Sequence, residues 1–251
     1  MTGHSRQLAR SLLKALFLSC LTCFSVITSA SDTQTRRSDP HYSPNGFFDI
    51  HICNWPDRPP FFLSLFSTYQ FDKVKKIEVF NPDGSFLDTI GKQRFKLIEK
   101  KGKPVKRVFI KHTELPNNAQ PGWYTTTVTM NDGNKLELKD YVIIDHIDWA
   151  RETKPAANAS NIRVPTQLSW KAIPGAGYYK VFIKDLWEDG KVILKSKLLK
   201  EPRLNLKPGL LQTDGWYEWR VHARDSNGHV LLGDFNHGSL SPVMKFTTRS
   251  E

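Results

Sequence analysis

One phrase occurs twice in this sequence, as "PGWYTTTVTMNDG" at 121–133 and as "DGWYEWRVHARDSNG" at 214–228, with the two Gly-Trp-Tyr triplets 93 residues apart. Both copies end in a turn signal that contains Gly. In the second copy Tyr217, Trp219 and Val221 alternate with charged residues. This period of two is typical of a strand with one buried and one solvated face. The repeat therefore predicts two related β-units.

A Tyr at the start of such a strand is typical of the tyrosine corner of β-sandwiches, in which its hydroxyl bonds to the preceding backbone. The spacing of 93 residues is close to the roughly 100 residues of one immunoglobulin-type domain. Turn signals at 81–84, 131–133 and 188–190 separate β-rich runs,. The sequence therefore predicts an all-β fold of two tandem sandwiches.

The second half resembles a fibronectin type III domain across nearly all of 162–248, through "VPTQLSW", "GAGYYKVFIKD", "LNLKPGLLQTDGWYEWRVHARDSNG" and "SLSPVMKFTT". The resemblance implies core positions at Leu168, Trp170, Tyr179, Val181, Leu206, Tyr217, Val221, Ala223 and Phe246. The first half is similar to the same immunoglobulin-like architecture through "GWYTTTV" and its hairpins. Such folds serve adhesion, spacing and binding alike, so the resemblance does not select a function.

Residues 1–30 have the layout of a secretory signal peptide. Three basic residues precede the apolar run "ALFLSCLTCFSVITSA", and small residues at 28–30 fit a cleavage site,. We expect cleavage after Ala30 and a periplasmic or secreted protein. The alternatives are an uncleaved N-terminal anchor and a lipoprotein at Cys20 or Cys23.

The predicted organisation has five parts. They are a signal peptide at 1–30, a flexible N-terminal segment at 31–44, an immunoglobulin-like sandwich at 45–148, a linker at 149–160 and a fibronectin III-like sandwich at 161–251. The linker is inferred from the polar run "ARETKPAANASN",. Cleavage leaves Cys53 as the one cysteine, so hydrophobic cores must hold these domains together. No later run reaches eighteen apolar residues, so no transmembrane span is predicted in the mature chain.

Positive charge is concentrated in one segment. The first thirty residues hold three basic and no acidic side chains, so the net charge falls from +11 to +8 after cleavage. The segment 92–111, "KQRFKLIEKKGKPVKRVFIK", holds nine basic residues and one acidic residue. The nine candidate anion-binding residues are Lys92, Arg94, Lys96, Lys100, Lys101, Lys103, Lys106, Arg107 and Lys111.

This segment is typical of a β-hairpin that turns at "KKGKP",. We expect Phe95, Leu97, Val108 and Ile110 on one face and much of the charge on the other. The hairpin is a candidate arm for an envelope polyanion, such as a glycolipid or an acidic polysaccharide. The alternative is an edge made lysine-rich to prevent strand-to-strand aggregation. Nucleic acid is not favoured, because no nucleic-acid-binding motif is present.

Four tryptophans lie in predicted loops or at strand ends, and they are Trp55, Trp123, Trp187 and Trp216. They form a candidate aromatic surface for a sugar or a protein partner. The alternative is that they close the ends of the sandwiches. Trp170 and Trp219 are instead predicted to be core residues.

Catalytic signals are weak. His51 and Cys53 share a strand face and could form a base and nucleophile of a hydrolase, although a buried thiol beside a histidine explains them as well. His41 adds no recognised metal-ligand spacing. We predict no catalytic residue, metal or cofactor, and favour a non-catalytic binding protein of the cell envelope, with a polyanion or a protein as partner. A periplasmic chaperone that acts by strand addition and a hydrolase are the alternatives.

Overall fold

The computed structural model describes residues 39–225 and 236–250. The predicted signal peptide, residues 31–38 and the turn at 226–228 lie outside these ranges. Within them, every regular element except a 3₁₀-helix at Phe71–Lys73 is a β-strand. No helix in the described part is long and apolar enough to cross a membrane. The all-β prediction is confirmed.

Nine strands precede residue 149. They are β1 Tyr42–Ser43, β2 Gly46–Asn54, β3 Phe61–Thr68, β4 Val74–Phe80, β5 Phe86–Thr89, β6 Phe95–Ile98, β7 Lys106–Glu114, β8 Gly122–Met130 and β9 Lys135–Val142. Eight strands follow it in the described ranges. They are β10 Ala159–Ile162, β11 Gln167–Ser169, β12 Tyr178–Asp185, β13 Lys191–Lys195, β14 Arg203–Asn205, β15 Trp216–Arg224, β16 His237–Leu240 and β17 Met244–Thr248.

The N-terminal half, residues 39–148, is a two-layer β-sandwich. One layer has the order β5-β4-β8-β9, and the other contains β2-β3-β7-β6. Ile50 and Phe66 from one layer pack with Ile77, Tyr124 and Val128 from the other. The predicted turns at 81–84 and 131–133 close the β4–β5 and β8–β9 hairpins.

The C-terminal half, residues 149–250, buries a second hydrophobic cluster. Its larger sheet contains β10-β17-β15-β12-β13, and β11 pairs with β14 in a small second sheet. Trp170 and Trp219 lie in this cluster with ring centroids 6.3 Å apart. Of the core positions implied by the resemblance, all are buried except Leu206, which is half-buried. These features are those of an immunoglobulin-like or fibronectin III-like fold.

Both predicted tyrosine corners are present. The Tyr217 hydroxyl accepts a hydrogen bond from the Gln212 backbone N–H at 2.8 Å. The Tyr124 hydroxyl donates to the Gln120 carbonyl at 3.0 Å. The repeated phrase therefore folds into the same local structure twice, with opposite hydrogen-bond direction.

Strand β16 joins the two halves into one sheet. It pairs antiparallel with β15 and parallel with β2. The sheet therefore runs β13-β12-β15-β16-β2-β3-β7-β6 through both halves. No local sequence pattern indicates this connection. Independent folding of the two halves stays a prediction.

Two segments that the sequence analysis placed outside the sandwiches make hydrogen bonds with them. The predicted linker 149–160 is hydrogen-bonded to the C-terminal half, where Lys154 N–H donates to Ser169 O at 2.8 Å and Asn158 N–H donates to Lys245 O at 2.7 Å. In the predicted flexible segment 31–44, Asp39 and His41 are buried, whereas Tyr42 and Pro44 are exposed. His41 is buried, with its imidazole nitrogens 2.6 Å from the carboxylates of Asp39 and Asp140.

Candidate ligand-binding groove

The shared sheet brings the outward faces of both halves onto one surface. In β2 the even-numbered residues of 48–52 fill the N-terminal core, so Asp49, His51 and Cys53 face the opposite side,. In β15 the odd-numbered residues fill the C-terminal core, so His222 and Arg224 face outward. Because one sheet carries both strands, all five side chains point to the same side.

Gly238 lies in the middle of this surface. It is paired with Arg224 on β15 and with Cys53 on β2, so the three residues form one row across the sheet. Side chains of paired residues share a face.

Two adjoining cavities occupy this surface, and together we call them the groove. The first has a volume of about 480 Å³ and is lined by outward side chains of β2, β3, β6 and β7 together with His222 and Arg224. The second has a volume of about 580 Å³ and is lined mainly by β12, β15 and the segment after β16. Trp55 and His222 line both cavities. Each volume is in the range of small-molecule sites.

Cationic side chains enter the groove from separate elements. Lys96 and Lys106 come from the β6–β7 hairpin, and Arg224 comes from β15. Burial, followed by the charge of Lys100, lowers the pKa of Lys106. Burial also lowers the pKa of Arg224, against the opposing effects of Cys53 and Asp49.

Lys180 on β12 is paired with His222 on β15, so its side chain lies on the groove face of the sheet, although it lines neither cavity. Its strand and β6 are six strand positions apart, a distance of about 29 Å in a flat sheet at ~4.8 Å per strand. Burial lowers the pKa of Lys180, and the charges of Arg224, Lys96 and Lys195 lower it further. Because the charge of Lys96 acts on Lys180, the two side chains lie closer together than they would in a flat sheet.

The predicted hairpin is present, but its expected faces are wrong. Pairing of Phe95 with Phe109 and of Lys96 with Val108 places Phe95 and Leu97 on one side and Val108 on the other. Ile110 and Val108 share the groove face with Lys96 and Lys106. Charge and apolar side chains are therefore mixed on both faces.

The nine basic residues do not form one surface. Lys92 donates to the Val74 carbonyl at 3.0 Å, and Lys111 pairs with Asp88 at 3.2 Å. Arg107 stacks on aromatic rings on the face opposite the groove. The remaining four outside the groove lining are Arg94, beside His112, and the exposed turn residues Lys100, Lys101 and Lys103. Only Lys96 and Lys106 of the nine line the groove.

The hydrolase hypothesis gains no support from the local geometry. Cys53 is buried, with 1% of its surface exposed, and forms no disulfide. The His51 imidazole lies 3.2 Å from the Asp49 carboxylate. Burial, with Arg224, His51 and Lys180 nearby, lowers the pKa of His222 to about 3, so this side chain is neutral at physiological pH. No cluster of three metal-ligating side chains occurs in the described ranges.

The four candidate tryptophans lie in three separate places. Trp55 lies in the groove, with its ring centroid 5.5 Å from that of His112. Trp123 packs against Tyr141 at 5.3 Å, and Trp187 packs against Trp216 at 5.4 Å. Their contacts do not join them into a common aromatic surface.

Sequence reasoning missed Arg224, which lines the groove, and Lys180, which lies on the same face of the sheet beside His222. A signal was available, because both alternate with core residues on strands predicted from the fibronectin-like pattern. What no local pattern indicated was that β16 would place these strands in one sheet with β2. Distant charges therefore could not be assigned to one site.

The chain matches no protein-family model and no curated protein sequence. Among solved structures it is similar to trypsin-activated α2-macroglobulin from Escherichia coli, with 12% identity, a TM-score of 0.22 and 83% of this chain covered. The chain spans 16% of that protein's length. It is also similar to a chain in the complex of Dpr2 Ig1-Ig2 with DIP-Theta Ig1-Ig3, with 12% identity, a TM-score of 0.25 and coverage of 83% of this chain and 100% of that one. The strands and their pairing define an all-β protein with an immunoglobulin-like architecture.

Proposed function

We propose that this protein is an exported, non-catalytic binding protein of the cell envelope that holds an anionic ligand in the groove. Export is inferred from the signal-peptide layout of residues 1–30,. The ligand class is inferred from the charges that line the groove. A glycolipid headgroup or an acidic polysaccharide carries the anionic groups that such a site would bind.

One observation carries this proposal. Lys96 and Lys106 line the groove, Lys180 lies on the same face of the sheet beside His222, and none of the three pairs with an acidic residue in the described part of the chain. Asp49 offsets part of the charge of Arg224, but the lysines keep theirs. Like charges held together repel one another, and an anionic ligand would relieve that repulsion.

The experiment compares two triple variants of the purified protein. The groove variant carries Lys96→Gln, Lys106→Gln and Lys180→Gln. The control carries Lys101→Gln, Lys103→Gln and Lys207→Gln, which removes the same charge from exposed positions outside the groove. Binding of a sulfated polysaccharide such as heparin is measured by titration at several salt concentrations.

We expect the groove variant to lose about 100-fold in affinity, at about 1 kcal/mol or somewhat more for each lost charged contact. Its salt dependence should also become shallower, because fewer counterions are released. The control should stay within about threefold of the wild type. Equal losses in both variants, or no loss in either, would refute a local anion site.

Strand addition is a second candidate function, because β6 is the last strand of its sheet. Its Phe95 and Leu97 are 40% and 46% exposed on the face opposite the groove. An extended partner strand could pair with this edge. Leu97→Asp should then abolish capture of a protein subunit while leaving heparin binding intact, and an unchanged capture would exclude this function.

A further inference from the structure

We propose, building on the proposed function, that the ligand is an amphiphile with one hydrocarbon chain and an anionic headgroup. The cationic side chains would hold the headgroup, and the apolar floor of the groove would hold the chain. A free amphiphile, taken up one molecule at a time, is the occupant to which this inference commits.

The apolar floor is the first observation in its favour. Leu63, Leu65, Val108 and Ile110 line the first cavity, are half-buried, and belong to neither hydrophobic core. Outward faces of antiparallel sheets are normally polar when water covers them. The middle parts of β3 and β7 therefore carry apolar side chains on both faces, as expected of a sheet that is covered on both sides.

The floor continues beyond the cationic region. Trp55 lies at the junction of the two cavities, and the second cavity is lined by Phe182, Val192, Leu240 and Val243. The charged pair in that cavity, Lys184 and Glu218, is internally neutralised at 2.7 Å. A hydrocarbon chain that passes Trp55 would therefore leave Lys96 and Lys106 and enter a cavity that holds Arg220 but is lined mainly by apolar side chains.

The charges lie where a headgroup would be expected. Lys96 is exposed at the edge strand, whereas Lys106 is half-buried above the apolar floor. Val108 is paired with Lys96 and stands beside both lysines on the same face. An ammonium group next to an apolar surface suits a ligand whose ionic headgroup is attached directly to its hydrocarbon chain. A purely polar sugar would leave that apolar surface exposed to water.

A homologous series tests this inference. Hexanoate, octanoate and decanoate are titrated into the purified protein below the concentrations at which they form micelles. Burial of each methylene contributes about 0.8 kcal/mol, so affinity should rise about 15-fold for each added pair of methylenes. Binding should also show a negative heat-capacity change, because apolar surface is buried.

Two double variants show where the hydrocarbon chain of the ligand lies. Val108→Thr with Ile110→Thr introduces polar groups on the groove floor, and Leu97→Thr with Val105→Thr makes the matched change on the same hairpin outside the groove lining. The first pair should reduce the chain-length dependence by at least tenfold between hexanoate and decanoate, and the second should leave it unchanged. Equal effects of the two pairs would overturn the inference.

The outcome also separates this inference from the proposed function. If heparin binding depends on Lys96, Lys106 and Lys180 but fatty-acid affinity does not rise with chain length, the amphiphile proposal is refuted and the anion site remains. If replacing those lysines changes the affinity for neither ligand, both proposals fail.

Discussion

The two Gly-Trp-Tyr strands share one sequence phrase and one local structure, yet they face different surroundings. Strand β8 pairs on both sides within its four-stranded layer, and its outward face is a row of half-buried threonines. Strand β15 pairs with β12, β16 and β17, and its outward His222 and Arg224 become part of the groove. A repeated phrase therefore specifies the strand and its corner, whereas the neighbours in the sheet determine what the outer face does.

The glycines of the two phrases differ in the same way. At Gly122 the backbone has φ +149°, and an added Cβ would lie 2.8 Å from Pro82. At Gly215 an added Cβ would collide with the ring of Tyr217. The first glycine therefore meets a backbone requirement and a neighbouring loop, and the second makes room for the tyrosine corner itself.

The largest expected effect is that of Gly215→Ala. The Tyr217 ring must shift to accommodate the new methyl group, which disturbs both its packing and its hydrogen bond. We expect a loss of about 3 kcal/mol in the free energy of unfolding. Gly122→Ala should cost about 2 kcal/mol through backbone strain.

Denaturant titration measures both losses. Gly91→Ala serves as the control, because its Cβ would approach only the Gln93 side chain at 3.0 Å. A Gly215→Ala protein as stable as the Gly91→Ala protein would show that the second corner is not closely packed.

The two corners themselves should differ by a smaller amount. Tyr217→Phe leaves the Gln212 N–H without its acceptor, whereas Tyr124→Phe removes a donor from the Gln120 carbonyl. An unpaired N–H costs more than a carbonyl that loses one of its bonds. We expect about 1.5 kcal/mol for Tyr217→Phe and about 1 kcal/mol for Tyr124→Phe in thermal or chemical unfolding. Wild-type stability of both variants would contradict the tyrosine corners.

The junction between the halves should respond weakly to pH. His237 places Nδ1 2.6 Å from the Asp225 carboxylate and Nε2 2.9 Å from the Ile143 carbonyl. Both nitrogens donate only in the charged form. Burial opposes that form, but these bonds and the charges of Asp225 and Asp145 outweigh it and raise the pKa of His237 above its ordinary value of 6.5.

A histidine whose pKa is raised on folding contributes stability that is complete below the unfolded pKa and is lost as pH rises through the folded pKa. The unfolding midpoint should therefore fall as pH increases upward from about 6.5. His237→Gln should remove that part of the pH dependence. A variant with the same pH profile as wild type would show that this junction does not depend on protonation.

The sequence predicted the features that depend on local pattern. Alternation placed Tyr217, Trp219 and Val221 in a core, and turn residues placed the hairpins. It failed where contacts join distant segments. The faces of 95–98 and 106–110 depend on the register across the turn, which composition does not determine. The pairing of β16 with β2 joins segments almost two hundred residues apart in sequence, and without it Lys180 has no visible relation to Lys106.

The heparin affinity of a single variant, Lys180→Gln, shows whether the two halves of the chain form one groove. Lys180 lies in the C-terminal half, far in sequence from the basic hairpin. It shares a face with the hairpin lysines only because one sheet carries both regions. If both halves form one groove, Lys180→Gln should weaken heparin binding by about as much as Lys106→Gln, roughly five- to tenfold, while the exposed Lys207→Gln stays near wild type. If Lys106→Gln weakens binding and Lys180→Gln does not, the hairpin acts alone and the shared groove is wrong.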